Sequence, residues 1–249
     1  MQRTLLEIVQ DVLGAISSDE VDDISDTQDA EDVVRIVRRV YADMITQRDW
    51  PHLRKVVALT ASGDSAKPTH MTFDSKISKI VSVKYDNRKT GETQRQYLPV
   101  TYKSPEDFLD ILDGRNNDET NIDIITDYGG TELLIKNDAS PQYYTSFDDT
   151  KIVMDAYDSV IGSTLVGART KAIVYEEGTF TASNTFVINL PDKAFQHLIN
   201  EAMSTAFIEL KEVANSKVEK DARVSGQRLA IEKHRVNNST KAETPDYGR

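Results

Sequence analysis

The chain has 249 residues, of which 39% are hydrophobic and 29% charged, with no cysteine and a net charge of −11. The lack of cysteine rules out a disulfide framework and a thiolate metal site, and the acidic balance argues against general nucleic-acid binding, which needs a basic surface facing the phosphates. No run approaches the roughly 20 apolar residues of a membrane span, and Met1-Gln2-Arg3-Thr4-Leu5-Leu6-Glu7 shows no apolar core of a secretory signal.

Leu5, Ile8, Val9, Val12, Leu13 and Ile16 recur at helical spacing, and Gly14 with Ser17-Ser18 marks the end of that first helix. An acidic connector follows, Asp19 to Asp26. Ser25 with Gln28 has the pattern of a capping box, and Asp29, Glu31 and Asp32 put negative charge at the start of a second helix. Its apolar face runs from Val33 through Ile45, with Arg35, Arg38 and Arg39 on the other side, and Pro51 ends it. Trp50, the only tryptophan, is expected to plug the structure rather than bind a ligand.

From Leu53 to Leu190 the period shortens. Leu53–Leu59, Ile77–Tyr85, Arg95–Val100, Ile122–Thr126, Leu133–Lys136, Tyr143–Phe147, Lys151–Asp155 and Lys171–Tyr175 read as short strands, separated by Gly, Asn and Asp turn signals. One helix interrupts them, Pro105–Leu112, with Ser104 as its N-cap. Beyond Leu190, Pro191 suits a first helical position, and Phe195, Leu198, Ile199, Ala202, Ala206, Leu210 and Val213 form one stripe, widened by Met203 and Phe207. Ser216 with Glu219 has the pattern of a second start, and the helix after it carries only the thin stripe Val218, Ala222, Ser225, Leu229, interrupted by Gly226. That last helix buries too little to stand alone, so it is expected to pack on this chain's own helices or on a neighbouring subunit; a solvated terminal helix is the plainer alternative.

The reading is therefore α+β: a helical bundle from N- and C-terminal helix pairs, residues 1–52 and 191–236, with an inserted β-rich domain at 53–190 and an extended arm at 237–249. Charge is uneven along this order. Residues 1–50 carry 12 acids and 5 bases, and residues 210–236 carry 7 bases and 4 acids. Complementary ends attract, within a subunit or between subunits. The candidate subunit-interface residues are Lys217, Lys220, Arg223, Arg228, Arg35 and Arg39.

No catalytic, cofactor or metal pattern emerges. His52, His70, His197 and His234 show no ligand spacing, and His197, one residue off the apolar stripe, is expected to be packed. The loop Asp113 to Glu119 fails as a calcium loop, with arginine at its third position and no glycine at its sixth, and is expected to be solvated. Phosphate-binding and nucleophile-elbow motifs do not occur.

Several phrases resemble the head-to-tail adaptor proteins of short-tailed phages, the tail tubular protein A-like family. They are Leu5–Leu13, Glu31–Ile45 ending in Gln47-Arg48-Asp49-Trp50-Pro51, Pro141–Asp149 followed by Ile152–Asp158, Leu190-Pro191, Glu201–Phe207 and Lys217–Lys220. The resemblance spans most of the chain through helices and short phrases; the long β block departs from the smallest family members. It implies a virion neck and tail protein, assembled in the host cytoplasm, without enzymatic activity. Such a protein forms a homo-oligomeric ring, twelve copies in the family, between the portal protein and the tail nozzle or tube protein. Tail fibres are a further contact, and double-stranded DNA passes through without sequence-specific binding. The arm would then be the portal-binding segment, through Arg235, Asn237, Asn238, Lys241, Pro245, Tyr247 and Arg249. Another neck or tail-completion protein, or a generic oligomeric adaptor, remains the alternative.

Overall fold

A computed structural model of the protein describes residues 3–231. Among these the fold is α+β, with five α-helices, a curled eight-stranded sheet and a separate two-stranded hairpin. The described residues divide into two compact units, residues 3–52 together with 178–231, and residues 53–177.

In the first unit, α1 (Leu5–Ala15) opens on a complete capping box: Thr4 and Glu7 each accept the other's backbone amide. Its stripe is buried at Leu5, Ile8, Val9, Val12 and Leu13. In α2 (Gln28–Thr46) the cap differs from expectation. Thr27, not Ser25, accepts the Ala30 amide, because the Ser25 hydroxyl is already bonded to Asp23 in the preceding turn. α2 buries Val33, Val34, Ile36, Val37, Val40, Tyr41 and Met44, and the Trp50 indole, 2% exposed, donates to the Met44 carbonyl. α4 (Asp192–Lys211) starts one residue later than expected: Pro191 is extended and serves as the N-cap. Ala194, Phe195, Leu198, Ile199, Ala202 and Ala206 are buried. Val213 does not extend that stripe. Glu212 turns left-handed at φ 52°, which ends the helix and leaves Val213 61% exposed.

Residues 178–190 carry no strand of their own and group with these helices. Leu5 donates to the Phe186 carbonyl, Thr4 bridges to Val187, and Phe180 packs against both Tyr41 and Phe186. Gly178 is required there, since a Cβ would lie 2.7 Å from the Tyr41 hydroxyl oxygen.

The second unit holds the strands β1 (Arg54–Val57), β2 (Thr60–Ala61), β3 (His70–Thr72), β4 (Ile77–Asp86), β5 (Tyr97–Tyr102), β6 (Ile122–Thr126), β7 (Glu132–Lys136), β8 (Tyr143–Thr145), β9 (Lys151–Met154) and β10 (Thr170–Glu176), with helix α3 (Pro105–Asp113) after β5. The large sheet runs β1-β10-β4-β5-β8-β9-β3-β2, and β6 pairs with β7. Every neighbouring pair is antiparallel except β5 and β8, whose parallel ladder is allowed by the long connection through α3 and the hairpin. The register slips between Ile173 and Val174 opposite β4, which leaves Val81 as an extra residue and bends the sheet. Phe108 and Leu112 of α3 join Met71, Val83, Val100, Leu133, Ile135, Ile152 and Met154 in the core. The loop after α3 is not solvated throughout. Arg115 turns inward, with its side chain 10% exposed, and donates to the Leu134 and Asp155 carbonyls and to the Asp155 carboxylate at 2.8 Å.

Candidate interaction surface

α5 (Ser216–Ile231) carries most of the candidate interface residues. It begins because the Asn215 side chain, rather than that of Ser216, accepts the amides of Lys217 and Val218. The helix lies on α4 of its own chain. Among its described side chains the one fully buried apolar residue is Ala222, with Val218, Val224 and Leu229 half-buried, as the thin stripe implies. Polar contacts supply the rest. His197 Nδ1 is 3.1 Å from the Ser225 hydroxyl, and Asn200 donates to the Asp221 carbonyl. His197 is thus packed, as expected, and Gly226 is there for room: a Cβ at that position would sit 3.1 Å from the imidazole Cε1.

One anchor escaped the sequence reading. The Arg48 guanidinium lies 3.7 Å over the Trp50 ring and donates to the Leu229 carbonyl at 2.9 Å. A cation at a helix C-terminus meets both an unfilled acceptor and the negative end of the dipole. The arginine two places before the sole tryptophan was the only sequence signal for it.

The opposite side of α5 is cationic. Lys217, Lys220 and Arg223 recur every three residues and Arg228 follows, all exposed, so one side of the helix presents four bases over roughly 16 Å, with the exposed acids Glu219 and Asp221 one turn from Arg223 and Lys217. None of the four makes an ion pair among the described residues. The two candidates on α2 behave differently. Arg35 pairs with Asp32 one turn away, and Arg39 reaches Glu209 on α4 at 2.5 Å, so both are engaged within the chain. The arm residues Arg235, Asn237, Asn238, Lys241, Pro245, Tyr247 and Arg249 lie outside the described residues.

The acids of the N-terminal region are spread over the same unit. Asp19, Glu20, Asp22 and Asp26 of the connector are exposed. A shallow cleft of about 580 Å³ beside the connector is lined by Asp23, Ile24, Glu31, Val34, Arg35 and Asn184. Asp23 is held below the usual carboxylate range first by hydrogen bonds from Ser25, side chain and backbone, and then by Asn184. Those bonds lock the connector to residue 184; they do not leave a carboxylate poised for proton transfer. No group of three or more potential metal ligands occurs among the described residues, and no described helix is long and apolar enough to cross a membrane. Comparison with known proteins finds no family model and no curated relative that matches the chain.

Proposed function

We propose that this protein is a structural subunit of a short-tailed phage virion, a head-to-tail adaptor that forms a ring between portal and tail nozzle. In this reading α1, α2, α4 and α5 make up a helical bundle, the wedge of each ring subunit. Residues 53–177 are a β-rich lobe inserted between the helix pairs. It uses no cofactor, and DNA passes through the ring without base-specific contact, since an acidic surface repels phosphate and prevents sticking.

What supports this reading is the cationic side of α5, without ion partners among the described residues, on a chain whose first 50 residues carry 12 acids against 5 bases. Each copy carries both surfaces, and no ion pair among the described residues joins them within the copy. They complement each other between copies, head to tail, and a heterologous contact of that kind closes into a ring when its rotation allows. Each exposed pair contributes less than about 1 kcal/mol. Isolated copies therefore stay monomeric, and the portal supplies the template.

The test mixes the purified protein with portal rings of its own phage and images the product by electron microscopy, with light scattering on the protein alone. Monomers alone and a twelve-fold ring on the portal are expected; no added ring on the portal overturns the adaptor reading. Reversing Lys217, Lys220 and Arg223 to Glu should abolish the ring, and adding Asp19→Lys, Glu20→Lys and Asp22→Lys to that variant should restore it. Normal yield from the first variant rejects the α5 contact while leaving the adaptor reading standing.

A further inference from the structure

The loop joining β6 to β7 is held onto the large sheet by an unusual set of contacts. His70 of β3 is 1% exposed, and its Nε2 lies 2.8 Å from Asp127 Oδ1 at the head of the loop. The next residue, Tyr128, meets the imidazole edge-on at 5.4 Å. Two ammonium groups lie over the tyrosine ring, Lys67 Nζ at 4.5 Å and Lys151 Nζ at 3.9 Å from its centre, and Lys67 also donates to the Thr126 carbonyl. His70 Nδ1 is buried with no hydrogen-bond partner among the described residues. We propose that His70 and Asp127 form an acid-released latch, which keeps the loop 126–131 closed on β3 at neutral pH and frees it on acidification.

The effect of acid is set by where a second proton on His70 would go. Asp127 is already well served: burial works to raise its carboxyl, but bonds from His70 and from the Gly129 and Tyr128 amides outweigh burial and hold it low. It is therefore a carboxylate, Nε2 carries the imidazole hydrogen, and Nδ1 holds the lone pair. Protonation would place a new N–H at Nδ1, which has no hydrogen-bond partner among the described residues. Burial is the main cause that lowers the imidazole below its ordinary value; Lys67 and Lys151 add to it and Asp127 opposes it. The other strand packed on β3, besides β9 with its Lys151, is β2, which consists of Thr60 and Ala61 and brings no charge. The closed loop thus binds a proton less readily than the open loop. Its full stability is present above the ordinary histidine value of about 6.5 and is lost as pH falls below it. Asp127, also held low, adds a further loss only below about pH 4.

Opening is read from hydrogen exchange on the full-length protein, at the Gly130 amide bonded to the Asp127 carbonyl and the Gly129 amide bonded to its carboxylate. Between pH 7 and 5 their protection factors should fall by roughly tenfold for each pKa unit separating closed from open loop, while those of β4 and β10 stay constant. In His70→Gln, whose side-chain amide can still donate to Asp127 but does not titrate, the pH dependence should vanish. The same profile in that variant overturns the latch. So does an NMR titration of the wild-type protein that puts the His70 midpoint at or above the ordinary value, a readout that decides the matter even if the variant does not fold.

Discussion

Tyr157 shows how a single side chain records its surroundings. Its hydroxyl donates to Asp123 at 2.5 Å, while Asn137 holds the other oxygen of that carboxylate. Burial first, then the hydrogen bond to Asp123 and last its charge, push the phenol up to about 12. The neutral phenol is the form the fold prefers, so this contribution is complete below the ordinary tyrosine value near 10 and disappears as pH rises through 12. An alkaline titration followed by tyrosinate absorbance should show Tyr157 as the last phase, absent from Tyr157→Phe. Survival of that phase in the variant would assign it to another tyrosine. Arg115 makes the complementary case. Arg115→Ala strips a buried carboxylate of its cation and should lower stability by about 3 kcal/mol in a denaturant melt; a loss under about 1 kcal/mol would mean that the Gln142 and Tyr143 amides already satisfy Asp155.

At the scale of elements, the helices and most strands were readable because their apolar residues repeat at 3.6 or 2 positions. What escaped was decided by neighbours the period does not see. Ser25 looked like the cap of α2, but its hydroxyl was taken by Asp23, and Thr27 does the capping. Thr27→Ala should therefore cost about 1 kcal/mol while Ser25→Ala costs much less, measured as midpoint shifts in urea; the reverse order would restore the sequence reading. β2 and β3 have two and three residues, too short for an alternation to show. The bases of α5 were legible from the charge balance of residues 210–236. Its anchors, Arg48 to Leu229 and His197 to Ser225, span 181 and 28 residues, and the latch pair, His70 and Asp127, spans 57. Nothing local in a sequence encodes pairings of that range.

At the scale of the whole molecule, the unit of residues 53–177 should fold without the rest. Residues 53–177 form a compact unit with their own buried core, closed by the β1–β10 ladder. Produced alone, that segment should fold cooperatively, with the Tyr157 alkaline phase and the His70 resonance of the intact protein. A molten fragment without a melting transition would show that its core depends on the helices.

The pairing of Arg54 with Tyr175 places the first and last strands of that unit side by side, antiparallel, with both chain crossings at the same end. A pull that draws the two crossings away from each other therefore loads the ladder as a zipper. Its pairs, Arg54 with Tyr175, Lys55 with Val174, Val56 with Ile173 and Val57 with Ala172, come undone in turn, and the force never has to break all of them at once. The lobe would yield gently and reseal when tension drops, behaving as a compliant link under mechanical load.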